Sequence, residues 1–137
     1  MRRPLAALCA GAASLGVAHA DEVWETKGGF VTYEADVGTT AVLSAPTEAG
    51  RVSVYVPGLG GVWSERRRQS YEGYFIGHEE GGPCEAALQG VDDRAGHYWG
   101  SARIVLTERG FPTGLFIVLD PCDGAEELIV GKPVTGG

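Results

Sequence analysis

The sequence predicts an all-β protein, a small antiparallel β-barrel or β-sandwich of about seven to nine strands with one disulfide, following an N-terminal signal peptide. Three observations predict it. Apolar and polar residues alternate through most of the chain with the two-residue period of a half-buried strand, and no window holds apolar residues at helical spacing over several turns. Glycine is frequent, with 22 residues, and falls between the alternating runs where turns are needed. Two cysteines, Cys84 and Cys122, remain once an export signal is removed, and in an oxidising compartment such a pair forms a disulfide.

Residues 1–20 read as that signal. Arg2 and Arg3 precede an apolar run from Leu5 to Val17, and Ala18-His19-Ala20 supplies an A-x-A cleavage site before Asp21. The run is shorter than the roughly 20 residues of a bilayer-spanning helix, and no later stretch is long enough. Cys9 follows Leu8, a bulkier residue than normally precedes a lipidated cysteine, and is expected to leave with the signal. Residues 21–137 then form a single β domain, periplasmic or secreted. All 18 acidic residues lie in it while Arg2 and Arg3 do not, so nine basic residues remain and the whole-chain charge of -7 becomes -9. That charge favours solubility and makes nucleic acid a poor partner.

The strands follow in order. Val31, Tyr33, Ala35 and Val37 share one face, and Phe30, Thr32, Glu34 and Asp36 the other. A short apolar segment from Ala41 to Ala45 is joined by a turn around Glu48-Ala49-Gly50 to Val52, Val54 and Val56, which alternate with Arg51, Ser53 and Tyr55. Pro57-Gly58-Leu59-Gly60-Gly61 breaks the ladder, and residues 62–69 hold the one helical turn expected, with Ser64 as N-cap. Tyr71, Gly73 and Phe75 against Glu72, Tyr74 and Ile76 form the next strand, closed by a loop from His78 to Pro83. Cys84, Ala86 and Leu88 alternate with Glu85, Ala87 and Gln89, ahead of a turn at Asp92-Asp93-Arg94-Ala95-Gly96. From His97 to Leu106 the core face carries Tyr98, Gly100, Ala102, Ile104 and Leu106. The outer face carries His97, Trp99, Ser101, Arg103 and Val105. Leu115, Ile117 and Leu119 continue the core, and Leu128 to Val130 is a last short strand.

The disulfide limits how these strands connect. If runs 84–90, 97–107 and 114–120 formed a flat meander, Cys84 and Cys122 would lie about 20 Å apart, whereas a disulfide needs Cα atoms within about 7 Å. The chain is therefore expected to bend at Gly100, fold back after Pro121, or exchange strands between sheets.

Catalytic and metal motifs are absent. His78-Glu79-Glu80 lacks H-E-x-x-H spacing and runs into Gly81-Gly82-Pro83, which forbids a helix. Asp92-Asp93 is too short for a calcium loop. Trp99-Gly100-Ser101-Ala102 lacks the second glycine of G-x-S-x-G, and His97 stands about 13 Å from Ser101 along an extended strand. There is no C-x-x-C, and Gly58-Leu59-Gly60-Gly61 lacks the lysine of a phosphate loop. Acidic residues are abundant enough to supply carboxylate pairs by chance. No catalytic residue, metal ligand or cofactor is assigned.

Two surfaces remain as binding candidates. One is the outward face of the long strand, with Trp99, Arg103 and His97 and with Tyr74 on a neighbouring strand, because Trp, Tyr and Arg are enriched at interaction hot spots. The other is the basic patch Arg66-Arg67-Arg68 beside Trp63, suited to an acidic partner or surface. The expected function is that of a non-enzymatic exported β-domain that binds another macromolecule, such as an enzyme it inhibits or an envelope component it accompanies. The alternative is a carrier holding a small molecule or glycan inside a barrel.

Overall fold

The computed structural model describes residues 22–61 and 68–134. The strands are β1 (Val23–Thr26), β2 (Gly29–Val37), β3 (Thr40–Thr47), β4 (Gly50–Pro57), β5 (Ser70–Gly77), β6 (Leu88–Gln89), β7 (Ala95–Gly96), β8 (Trp99–Leu106), β9 (Leu115–Pro121) and β10 (Glu127–Pro133). Eight of them close an antiparallel barrel in the order β1-β10-β9-β8-β5-β4-β3-β2, and β6 pairs with β7 in a separate two-stranded sheet. Among the described residues there is no helix. The signal peptide and the helical turn expected over residues 62–69, Arg68 and Gln69 apart, lie outside the described residues.

Alternation builds the barrel because every second side chain points inward. Val31, Tyr33, Leu43, Val54, Phe75, Ile104, Ile117 and Ile129 belong to one continuous buried cluster inside it. Each such side chain removed from water contributes about 1.5–3 kcal/mol. One end is plugged by Leu59, held where Gly58 and Gly60 N–H groups donate to the Thr39 carbonyl. Trp24 joins the plug: its indole N–H donates to the Thr113 carbonyl at 2.5 Å, and Phe111 packs edge-on at 6.2 Å. At the opposite end, two hairpins repeat one device. The Thr26 and Thr47 hydroxyls each donate to the carbonyl of the glycine three residues on, Gly29 and Gly50.

Close approach explains two interior glycines. A Cβ on Gly73 would lie 1.9 Å from the Tyr55 carbonyl oxygen, and one on Gly100 would lie 2.1 Å from that of Asp120. Only hydrogen fits between these strands.

Four expectations are corrected. Ala35 and Val37, expected to share a face with Val31 and Tyr33, do not: a bulge between Tyr33 and Ala35 reverses the alternation and leaves them exposed. Past the bulge Asp36 shares a side with Tyr33, whose hydroxyl donates to it at 2.5 Å. The run 84–90 is not a full strand, since only Leu88 and Gln89 pair, opposite Gly96 and Ala95. The long strand begins at Trp99, not His97, and the last strand extends well beyond 128–130. Strand β1 carries no sequence expectation, since four residues are too few to display a period.

The second correction resolves the disulfide. Because residues 84–87 are not in a ladder, Cys84 is free to sit beside the entrance of β8, its N–H donating to the His97 carbonyl at 2.9 Å. Cys122 leaves β9 on the other side, donating to the Trp99 carbonyl at 3.0 Å. The Cys84–Cys122 Cα atoms are then 5.8 Å apart.

Two outcomes follow from this packing. Cys84→Ser/Cys122→Ser is expected to cost about 4 kcal/mol in urea unfolding, from the closure entropy of a loop spanning 38 residues. Gly100→Ala is expected to cost at least about 2 kcal/mol by the same measurement, because its methyl meets backbone that cannot rotate away.

Candidate functional site

The segment between β5 and β8, residues 78–98, folds back as a flap over the outer face of the barrel. Beneath it lies a second apolar cluster, Val42, Tyr55 and Ile76, with Tyr74, Leu88 and Trp99 packed against it. Two of the four expected binding residues therefore line a small core outside the barrel. Tyr74 stacks on Tyr55 with ring centroids 4.7 Å apart, and the half-buried Trp99 donates its indole N–H to the Ala86 carbonyl at 2.8 Å. His97 belongs to the flap, with Nδ1 3.1 Å from the Cys84 carbonyl oxygen. Arg103 stands apart, exposed and paired with Glu72 at 3.3 Å. Of the basic patch, Arg66 and Arg67 lie outside the described residues, while the Arg68 guanidinium sits 4.6 Å above the Tyr71 ring.

Polar contacts pin the flap along one side. The Ser53 hydroxyl and His78 Nε2 are 2.8 Å apart, and Tyr55 donates its hydroxyl to Asp92 at 2.8 Å. Gly90 lies against the Tyr55 ring, where a Cβ would come within 2.6 Å of Cζ. Burial and then the Asp92 hydrogen bond push the Tyr55 hydroxyl above its ordinary pKa. Among the described residues the Ser53–His78 contact is the one serine–histidine hydrogen bond, a pairing between distant strand and loop positions with no sequence spacing to reveal it. Ser53 is buried, and the carboxylates that act on His78 through space have other partners. Asp92 takes the Tyr55 hydroxyl and the Arg94 N–H, and Glu34 takes the Thr32 hydroxyl.

Exposed apolar side chains adjoin one another elsewhere, on β9 and β10, while Phe30, Val37, Val91 and Val134 are exposed at other positions. Leu128 is 61% exposed, Val130 47% and Phe116 37%, and register places Val130 opposite Phe116 and Leu128 opposite Val118. Val105 extends the stripe onto β8 opposite Phe116. Leu128 and Val130 are expected from the sequence as strand residues without a surface role, because period-two alternation shows two faces and not which of them water covers.

Beside this stripe the barrel wall is incomplete. The β1–β10 ladder has two pairs, Trp24↔Pro133 and Glu25↔Lys132, and then the chain turns away at Lys27 and Gly28. A cleft of about 740 Å3 opens there, lined by residues 26–28, 46–48 and 126–130. The Glu48 N–H reaches across one end of it to the Glu127 carboxylate at 3.2 Å. Among the described residues, no group of three or more His, Cys, Asp or Glu side chains is placed to hold a metal ion. No helix among them is long and apolar enough to cross a membrane.

No family model matches the chain, and no curated protein or solved structure matches it. The class defined by fold and surface is an eight-stranded antiparallel barrel with a filled apolar interior, a disulfide-tethered flap and an exposed apolar stripe.

The histidine contact carries a pH dependence. Burial lowers the His78 pKa, Arg94 and Arg51 act in the same direction, and Asp92 and Glu34 oppose them. A folded pKa below the unfolded one means the unfolded chain takes up the proton first as pH falls, so stability is lost below about pH 6.5. The melting temperature is expected to drop between about pH 7.5 and about pH 5, and to drop less in His78→Gln. Equal slopes in the two proteins would remove His78 from the flap's anchorage.

Proposed function

We propose that this chain is an exported, non-enzymatic binding module that engages another macromolecule, a protein or an envelope component, through the outer face of β8, β9 and β10. The observation that carries the reading is the exposure of Leu128, Val130 and Phe116 on adjoining strands. Apolar side chains that cluster on a surface mark interaction sites, whereas isolated ones do not. Export into an oxidising compartment agrees with the leader-like residues 1–20 and with the Cys84–Cys122 bridge, which persists where thiols are not kept reduced. A role as an inhibitor or an envelope-associated accessory protein suits a small, acidic, stapled domain. The Ser53–His78 pair serves to hold the flap, since its serine is buried and, among the described residues, no carboxylate is hydrogen-bonded to its histidine.

The carrier alternative is less well supported. Eight strands enclose a space that side chains either fill or leave for one small ligand, and here Trp24, Tyr33, Phe75 and their neighbours fill it. A small ligand would have to use the outer cleft.

The test uses residues 21–137 as bait in an extract of the producing cell. Leu128→Ser/Val130→Ser is expected to keep the wild-type circular dichroism and melting temperature, because both side chains already face water, and to lose the partner that the wild type recovers. Glu85→Ala, in the flap that covers β3, β4 and β5, is expected to retain it. Recovery of the same partner by the wild type and the double serine variant would overturn the assignment.

A further inference from the structure

The cleft beside β10 has the geometry of an unfilled strand position, and resting on the binding reading above, we infer that it takes an extended, basic segment of a partner polypeptide as an added β-strand. Hydrogen-bond alternation fixes which backbone groups face the cleft. In an antiparallel ladder, residues alternate between bonding one neighbouring strand and the other. The Val134 N–H donates to the Val23 carbonyl, so residues 134, 132, 130 and 128 turn their N–H and C=O groups toward β1. The far side gives the same phase. Thr107 N–H donates to Gly114 and Cys122 N–H to Trp99, so on β9 the residues facing β10 are 115, 117 and 119, and on β10 their partners are 131, 129 and 127.

Strand β1 satisfies Lys132 through Glu25 and then ends. The outward N–H and C=O groups of Val130 and Leu128 therefore point into the cleft, and among the described residues no strand lies opposite them. A row of unpaired backbone groups at a sheet edge is a template for another strand. The side chains of the same two residues belong to the exposed stripe, so one segment can bond the edge while resting its own apolar residues against Leu128 and Val130.

Charge selects the occupant. Glu48, Glu126 and Glu127 line the cleft against a single cation, Lys27. A lysine- or arginine-bearing segment is drawn to it, whereas a second copy of this chain, which carries a net charge of -7 over its whole length, would bring its own carboxylates against these. The ligand is thus a segment alternating apolar and basic residues.

The probe is a synthetic peptide of about eight residues alternating valine and lysine, compared with its valine–glutamate counterpart and with a version N-methylated at every second residue. The valine–lysine peptide is expected to bind residues 21–137 and to slow amide hydrogen exchange at Val130 and Leu128 by at least about tenfold. N-methylation on the bonding edge is expected to abolish binding, and Glu126→Gln/Glu127→Gln to weaken it about tenfold. Absence of binding, equal binding of the acidic peptide, or dimerisation of the protein through residues 128 and 130 would each overturn the inference. Peptide binding lost in Leu128→Ser/Val130→Ser but unaffected by N-methylation, with no amide protection, would overturn strand addition while leaving the apolar stripe as a binding face. Partner recovery unchanged by the same double variant would instead overturn the stripe.

Discussion

Closure of the barrel depends on two residue pairs, Trp24↔Pro133 and Glu25↔Lys132, and most of the architecture answers to that short seam. Every other neighbouring pair of barrel strands shares at least four register positions. The seam holds because Trp24 anchors it from inside, its ring buried, its N–H bonded to Thr113 and its edge against Phe111. An unpaired indole N–H in that interior would cost about 1–3 kcal/mol, so the loop that supplies the Thr113 carbonyl is also part of the closure. The ladder runs one residue past Trp24, to Glu25, and the cleft begins at Thr26.

The flap is organised by the opposite principle, a polar and covalent frame around a small apolar centre. Val42, Tyr55 and Ile76 are outward-facing barrel residues, yet Tyr55 and Ile76 are fully buried because residues 78–98 cover them. A patch this small cannot hold residues 78–98 in place through apolar burial alone, given about 1–2 kcal/mol of backbone entropy for each residue ordered. The bridge at Cys84, the Tyr55–Asp92 bond and the Ser53–His78 contact carry the remainder. This also explains the disulfide's position: it ties the flap to the end of β9 where the flap rejoins the barrel.

Much of the barrel was legible in the sequence, and the failures share one cause. The inward face of β8 is legible residue by residue, because the alternation puts Ala102, Ile104 and Leu106 on one face and Ser101 and Arg103 on the other. In β2 the same rule failed after Tyr33, since one extra residue in a bulge inverts everything beyond it and leaves no mark on composition. Cys84 to Leu88 alternates as well as any strand, but a period says only that a segment suits a pleated surface, not that a partner lies beside it. The site was least legible. Trp99 and Tyr74 were singled out for residue type, and the flap that half covers them is tertiary; the end of β1, which leaves Val130 and Leu128 unbonded on one side, is a property of pairing and of no single residue.

The stripe and the open edge divide the work of binding between them. Two residues offer two N–H and two C=O groups, each already hydrated in an open cleft, and exchanging water for a peptide contributes only about 0.5–1.5 kcal/mol per bond. Association itself costs about 4–15 kcal/mol in lost freedom, so the edge alone cannot hold a partner. The balance has to come from apolar area, at about 25 cal/mol for each Å2 removed from water, and Leu128, Val130 and Phe116 expose such area beside the open edge. Conversely, a stripe without an edge would bind apolar surfaces with little regard to direction. Backbone bonds at Val130 and Leu128 fix the register and polarity of an incoming segment, and the carboxylates of Glu126 and Glu127 bias its composition. The same carboxylates protect the molecule when no partner is present, since an edge rimmed with like charge resists pairing with its own copies.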